Sequence, residues 1–218
     1  MYKILVRRVM KIKAPYQLVF DTAQDWSHFS HLHHKVIISH PLLYKNTERQ
    51  VFLYKARRLY PFPFFDYYVI FRQDLPDGYR NVYVNAKSGH MHTVDCKVEA
   101  QGDETWITGD HLFSLPSYWG LFPKLFPQIF LWIYRKRMDE IMDEDLEWIY
   151  ERMTSEDLAP VDACAPAVPE TYDIMDEFFK HEAFGKADAR FEYHVSEAFD
   201  GKGRIRLKKG SNLVRTMG

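Results

Sequence analysis

The segment from Asp25 to His34 concentrates side chains that bind metal ions. It reads Asp-Trp-Ser-His-Phe-Ser-His-Leu-His-His, so four histidines lie within seven residues, shortly after a carboxylate. Neutral imidazole is the commonest metal ligand among side chains, and histidines clustered this closely favour a metal site. A polar helix with exposed histidines is the competing interpretation, and the segment alone does not separate the two.

Asp145 is the second residue that could do chemistry. No proline or glycine occurs between Pro127 and Met153, so a helix is predicted near 128–153. At about 100° per residue, Asp145 lies in the middle of an apolar stripe. That stripe contains Tyr134, Met138, Ile141, Met142, Trp148 and Ile149, whereas Asp139, Glu140, Asp143, Glu144, Glu147 and Glu151 fall on the solvated face or its flanks. A carboxylate facing an apolar pocket needs a metal, hydrogen-bond donors or an arginine such as Arg152.

The remaining sequence predicts the elements that must position these residues. Residues 2–13 alternate as a strand, Ala14-Pro15 opens a helix, and a second short helix is expected over Trp26–His34. Val, Ile, Tyr, Phe and Thr then dominate five segments separated by turn residues, which indicates an antiparallel meander. The five strands are expected at Arg49–Leu59, Phe65–Leu75, Tyr79–Lys87, Met91–Ala100 and Thr105–Phe113, and the prolines of Leu115–Pro127 indicate an irregular connection.

The order of these elements predicts an α+β fold of the helix-grip type. In that fold a curved antiparallel sheet wraps around a long C-terminal helix and leaves an apolar pocket between them. Residues 1–155 form the predicted domain and 156–170, rich in Pro and Ala, a linker. Residues 171–218 form a small tail, with a short helix at Tyr172–His181 and a hairpin of Arg190–Phe199 and Arg204–Lys208.

Composition excludes several classes of function. The 29 basic and 30 acidic residues give a net charge of −1, so nucleic-acid binding is not expected. Two cysteines, Cys96 and Cys164, are too few for a disulfide framework, a four-cysteine zinc site or an iron–sulfur cluster. The first residues lack a signal-peptide pattern, and no apolar run reaches the roughly 18 residues of a membrane span. A soluble, cytoplasmic protein is therefore expected.

Taken together, the two chemical features resemble the catalytic domain of Rieske-type non-haem iron oxygenases, itself a helix-grip domain of the START and Bet v1-like superfamily. Asp25-x2-His28-x4-His33, followed by an acid on the last helix within MDEDLEWIYERM, is similar to that family's motif over roughly residues 10–153. The resemblance implies that His28, His33 and Asp145 bind mononuclear Fe(II), leaving positions open for oxygen. It implies that Asp25 orients a ligating histidine.

Two conditions attach to this interpretation. His28 and His33 lie about 140° apart on a straight helix, so the helix must break between them, and His31 and His34 are the competing ligands in another register. The chain lacks the family's Cys-x-His and Cys-x-x-His pairs. It therefore has no Rieske cluster of its own, and an oxygenase would need electrons from a separate redox protein.

The leading hypothesis is an iron oxygenase-like enzyme acting on a hydrophobic, aromatic or polycyclic small molecule. The alternatives are a non-catalytic carrier of lipids or other hydrophobic ligands and a polyketide cyclase-like enzyme. Aromatic residues before Arg135-Lys136-Arg137 leave peripheral membrane contact open. Association with further copies of the chain is left open as well.

Overall fold

The computed structural model describes residues 1–24, 33, 37–39, 41–45, 49–57, 65–154 and 184–194. Nine strands and three helices lie within these ranges. The strands are β1 (Tyr2–Ile12), β2 (Ile37–Ser39), β3 (Leu42–Lys45), β4 (Arg49–Arg57), β5 (Phe65–Leu75), β6 (Gly78–Asn85), β7 (Met91–Gln101), β8 (Glu104–Leu115) and β9 (Ala189–His194). The helices are α1 (Tyr16–Gln24), α2 (Ser117–Leu125) and α3 (Pro127–Thr154).

The described strands form one sheet in the order β2-β4-β5-β6-β7-β8-β1-β9, with β3 also paired to β4. Strands β4 to β8 are sequential antiparallel neighbours, and β1 closes onto β8 antiparallel. Gly89 and Gly102 have φ values of +67° and +66° in the turns before and after β7, where glycine avoids the strain of a side chain. These are turns that the sequence predicted.

Alternation along β1 decides which side of the sheet becomes the core. Ile4, Val6, Met10 and Ile12 are buried on one side, and they belong to the same cluster as Met142, Leu146 and Ile149 of α3. Burying a side chain of this size stabilises the fold by about 1.5–3 kcal/mol. The long helix therefore lies against the sheet, and the helix-grip fold is confirmed.

Strand β9 extends this sheet beyond the predicted domain. It pairs in parallel with β1, from Val6 opposite Ala189 to Lys11 opposite His194. Phe191 and Tyr193 are buried, and the Tyr193 hydroxyl donates a 2.9 Å hydrogen bond to Asp139 Oδ1 of α3. This part of the predicted tail thus packs on the main domain.

One sequence-based expectation differs from the structure: the connection expected to be irregular contains α2, with Pro123 inside the helix. Asp139, placed on the solvated face of α3 or its flanks, is bonded to Tyr193. The expected helix over 26–34 (His33 apart), the linker 156–170, the tail helix 172–181 and the second hairpin strand 204–208 lie outside the described residues. None of the described helices is long and apolar enough to cross a membrane.

Candidate functional site

A cavity of about 440 Å³ lies between the sheet and helices α1 and α3. Aromatic side chains form much of its wall: Tyr54, Tyr68, Tyr79, Tyr83, Phe113, Phe130 and Tyr134. The Phe113 ring packs edge-on against both Phe130 and Tyr134, with ring centroids 5.3 Å apart in each pair. The size and the walls suit a small hydrophobic molecule with at least one ring.

Arg8 places a positive charge inside this apolar cavity. It lies on the inward side of β1 with Val6 and Met10, and only 8% of the residue is exposed. Its Nη1 lies 4.0 Å from the Met138 sulfur, and its Nε has no hydrogen-bond partner among the described residues. Within the same ranges it forms no ion pair with a carboxylate. The guanidinium is therefore a buried cation that the described part of the chain leaves without a strong acceptor.

Burial and neighbouring groups shift the pKa of Arg8 in opposite directions. Burial lowers the pKa of the guanidinium, while Coulombic interactions with Tyr134, Tyr79, Cys96 and Asp145 raise it, and the net direction is upward from the ordinary value for arginine. Arg8 is therefore a cation at any pH of interest. A buried cation of this kind favours an anionic or strongly polarised group of a ligand.

His111 and His92 form a pair of neutral imidazoles beside Arg8. His92 Nε2 lies 3.1 Å from His111 Nδ1, and the two rings stack with centroids 5.3 Å apart. Burial, with a smaller contribution from His90, lowers the pKa of His92 to about 3. Burial, then the charge of Arg8, and then His92 hold the pKa of His111 well below 6.5. Both rings are therefore neutral at physiological pH.

His111 Nε2 and the Tyr134 hydroxyl are the other unsatisfied polar groups of this wall. Both atoms are buried, and neither has a hydrogen-bond partner within the described ranges. The two rings lie 5.5 Å apart, centroid to centroid. Burial raises the pKa of Tyr134 above 10.0 and outweighs the opposing charge of Arg8, so the phenol keeps its proton.

Gly109 marks the point where the polar groups converge. It lies opposite Arg8 in the β1–β8 ladder and opposite Cys96 in the β7–β8 ladder. A Cβ placed at Gly109 would lie 3.0 Å from His111 Nε2 and 3.7 Å from Arg8 Nη2. The missing side chain thus leaves a small space that the imidazole and the guanidinium both border.

We call Arg8, His111 and Tyr134 the polar triad. Burying them without partners within the described ranges lowers the stability of the folded protein. Each buried polar group without a partner costs about 1–3 kcal/mol, and a charged one costs more. Buried polar groups of native proteins generally have a hydrogen-bond partner, so this arrangement indicates a place where polar atoms of a ligand would bind. An oxygen-bearing ligand with an apolar body would satisfy all three groups and fill the cavity.

His33 forms a second polar cluster with α3. Its ring is fully buried, with Nδ1 2.7 Å from Glu144 Oε2 and Nε2 3.1 Å from Asp145 Oδ1. Burial lowers the pKa of His33, but hydrogen bonding and attraction from Asp145 and Glu144 outweigh it and raise the pKa above 6.5. The cluster ties residue 33 to the long helix, and Asp145 also lines the cavity.

The predicted site residues are thus brought together only in part. Asp145 lines the cavity and contacts His33, and Glu144, placed on the solvated face or its flanks, is the second partner of His33. Asp25 and His28, together with the competing His31 and His34, lie outside the described residues. The complete ligand set therefore stays a prediction.

Two members of that set, His33 and Asp145, lie within the described residues. His33 Nε2 lies 3.1 Å from Asp145 Oδ1, while Glu144, which is not a member of the set, contacts the other ring nitrogen. Across the ranges that the structure describes, no group of three His, Cys, Asp or Glu side chains is arranged to hold a metal.

Comparison with solved structures supports the fold. A protein of Thermus thermophilus matches with a TM-score of 0.54 and 14% identity, covering 69% of this chain and 99% of that one. An aromatase/cyclase of Streptomyces sp. R1128 matches with a TM-score of 0.56 and 12% identity, covering 71% and 98%. At this identity the likeness shows the fold alone. Neither protein-family models nor curated proteins give a match.

The classification as an iron-binding oxidoreductase is wrong. The aromatase/cyclase named above is not an iron oxygenase, and no metal-binding group occurs among the described residues. The resemblance on residues 10–153 holds for the fold only. Fe(II) and a separate electron-transfer protein stay predictions.

The polar triad escaped the sequence interpretation although β1 carried a signal for it. The alternation that places Ile4 and Val6 inward also places Arg8 inward, so the charge falls on the apolar side of a strand. His92 shares its side of β7 with Val94 and Cys96 in the same way. What no alternation reveals is that these groups lack partners, because partners come from other strands.

Proposed function

We propose that this protein is a cyclase-like enzyme that closes a ring in a hydrophobic carbonyl compound of the polyketide type. The observation that carries the proposal is the polar triad, three buried and unsatisfied groups in an otherwise apolar cavity. A carrier of purely apolar ligands would gain stability by losing them. Arg8, His111 and Tyr134 provide a cation, an imidazole and a phenol, the groups that an intramolecular aldol condensation uses.

The first step is removal of a proton from a carbon next to a carbonyl. His111 Nε2 accepts this proton in the tautomer whose Nδ1–H donates to His92 Nε2. The electron pair of the broken C–H bond moves into the carbonyl, and the enolate oxygen receives the charge of Arg8. A cation placed where negative charge develops, inside a cavity of low dielectric, is the strongest contribution that such a site makes.

Ring closure and loss of water complete the reaction without a further reactant. The enolate carbon attacks the second carbonyl of the same molecule, and the new alkoxide takes the proton back from His111. Tyr134 donates a hydrogen bond to this oxygen. His111, neutral again, removes a second α-proton, and the electron pair of that C–H bond expels hydroxide, which takes the proton from His111 and leaves as water. The aromatic wall holds the chain folded, which converts ring closure into a reaction between atoms already in contact.

A hydrophobic-ligand carrier is the second candidate, and one observation favours it. Burial and nearby charge hold the pKa values of His92 and His111 low, so both are weak bases in the ligand-free protein. An enolate between Arg8 and His111 would raise the pKa of His111, but a carrier needs no base at all. Both candidates would therefore bind the hydrophobic ligand, but only the cyclase would convert it to a product.

The test uses a linear aryl diketone with three carbons between its carbonyl groups. Its intramolecular condensation gives an aryl cyclohexenone and water, which chromatography with mass spectrometry detects. Two variants, Arg8→Met and His111→Phe, remove the cation and the base. Arg7→Met is the matched control, because Arg7 is the next cation of β1 but pairs with Asp110 on the other side of the sheet.

The expected result is turnover above background by the unaltered chain and by Arg7→Met. Turnover is expected to fall by at least about a hundredfold in His111→Phe, since general acid–base catalysis contributes roughly 10²–10⁴-fold. Binding of the diketone without turnover by the unaltered chain would favour the carrier. Equal turnover by His111→Phe would refute the role given to the imidazole.

A further inference from the structure

An exposed apolar surface crosses α2 and the start of α3. Seven large hydrophobic residues on it are 42–63% exposed: Leu121, Phe122, Leu125, Phe126, Ile129, Trp132 and Ile133. They fall within thirteen consecutive residues, and only four other large hydrophobics of the described ranges are comparably exposed. We call this surface the apolar ridge. Clustered exposure of this kind marks a contact surface.

The ridge is continuous across the junction of the two helices. Its members recur at intervals of three to four residues, which keeps them on one side of a helix. The Phe126 N–H donates to the Phe122 carbonyl at 2.8 Å, and the Phe130 N–H donates to the Phe126 carbonyl at 3.1 Å. Helix-type hydrogen bonds thus bridge the junction, and Phe122 and Phe126 have ring centroids 6.0 Å apart.

Positive charge accompanies the ridge. Residues 111–138 contain no acid but four basic residues, Lys124, Arg135, Lys136 and Arg137, in a chain whose net charge is −1. Lys124 and Lys136 are exposed. Each basic residue near an anionic bilayer surface contributes about 1 kcal/mol to attraction. Exposed Trp, Phe and Leu beside lysine and arginine are the residues that settle at the boundary of headgroups and acyl chains.

The ridge also meets the cavity. Ile133 belongs to the ridge and also lines the cavity. Its neighbours Phe130 and Arg137, which are not part of the ridge, line the cavity too. A surface that covered the ridge would therefore lie at the edge of the apolar cavity. A hydrophobic ligand could pass between the two without crossing bulk water.

We infer that the apolar ridge docks this protein onto the surface of a bilayer containing anionic lipids. The helices lie on the bilayer and do not span it. The ridge residues enter the boundary region, and the flanking basic residues contact the headgroups. The inference stands on exposure, charge and position alone and holds for a cyclase or a carrier alike.

The experiment is co-sedimentation of the full chain with two kinds of vesicle, phosphatidylcholine alone and phosphatidylcholine with phosphatidylserine. The ridge variant carries Leu125→Glu and Trp132→Glu, and its control is Leu43→Glu, since Leu43 of β3 is 46% exposed. The charge variant carries Lys124→Glu and Lys136→Glu. Its control carries Lys3→Glu and Lys87→Glu, two lysines that are also exposed.

The unaltered chain is expected to bind the anionic vesicles, more weakly at high salt, and the neutral vesicles less tightly. Affinity should fall by about tenfold or more in the ridge variant, because two large apolar side chains leave the boundary region. The charge variant should lose the preference for anionic vesicles, and both controls should retain it. The dependence of binding on salt and on lipid composition is measured with the unaltered chain. It therefore still tests the inference if a variant fails to fold.

Three results would overturn the inference. The unaltered chain could bind neither kind of vesicle, or the ridge variant could bind as tightly as the unaltered chain. Sedimentation velocity could instead show a dimer that Leu125→Glu dissociates, with no vesicle binding. In that case the ridge is an interface between copies of this chain.

Discussion

Replacing Arg8 by methionine should leave the ligand-free protein at least as stable as it is now. The change removes a buried cation with no carboxylate partner in the described ranges and substitutes a side chain of similar length beside Met138. Removing the unsatisfied guanidinium stabilises the folded protein by about 1–3 kcal/mol. Lost attraction to Asp145 subtracts from this gain. The expected net effect is a gain of about 0–2 kcal/mol.

Arg72→Met is the matched comparison, because Arg72 is also buried in the sheet but forms an ion pair with a carboxylate, Asp74. Its Nε donates a 2.6 Å hydrogen bond to Asp74 Oδ1, Nη2 donates to Gln24 Oε1, and the guanidinium stacks 4.2 Å from the Tyr79 ring centre. Removing it leaves Asp74 without its cation. Solvent reaches 30% of the Asp74 side chain, so the expected loss is reduced to about 2–4 kcal/mol.

Thermal unfolding of the three proteins measures the contrast. For a chain of this size 1 kcal/mol shifts the midpoint by about 2–4 °C, so the two variants should differ by at least about 4 °C. Arg8→Met should also bind the apolar anion anilinonaphthalene sulfonate less tightly, as fluorescence titration measures. If Arg8→Met is destabilised as much as Arg72→Met and binds the dye normally, Arg8 is a structural residue and the reasoning fails.

Two further outcomes are expected. Gly109→Ala should weaken dye binding with little change in the unfolding midpoint, because its Cβ would lie 3.0 Å from His111 Nε2 in the space assigned to the ligand; unchanged titration curves would contradict this. His33→Asn should lower the free energy of unfolding most at acidic pH, since the pKa of His33 is raised in the folded protein. That contribution is present below pH 6.5 and is lost as pH rises through the folded pKa, so denaturant titrations in which the difference grows with pH would refute it.

Local sequence patterns predicted the fold because they determine it directly. The alternation of β1, the turns at Gly89 and Gly102 and the uninterrupted stretch after Pro127 each depend on neighbouring residues. α2 was missed because the prolines of this stretch indicated an irregular chain, and one of them, Pro123, lies inside the helix, where proline is normally unfavourable. Strand β9 overlaps a predicted strand, but its parallel partner β1 is distant in the sequence, where no local pattern reaches.

The candidate site depends on distant pairings and was predicted only in part. The phase of α3 pointed Asp145 toward the cavity, which it lines. The same periodicity placed Glu144 on the solvated face or its flanks and gave no sign that His33 contacts both acids. Arg8 and Arg72 look alike in sequence, as charges on the inward side of strands. Only the three-dimensional structure distinguishes the partnered arginine from the one that lacks a partner.

The most direct test of the polar triad is a crystal structure of the chain with anilinonaphthalene sulfonate bound. The naphthalene ring is expected against the aromatic wall, with sulfonate oxygens within about 3 Å of the Arg8 guanidinium and of His111 Nε2, over Gly109. His111 then adopts the tautomer whose Nε2–H donates to the sulfonate. A dye bound elsewhere, or one whose sulfonate faces solvent while Arg8 keeps its contact with Met138, would contradict this expectation.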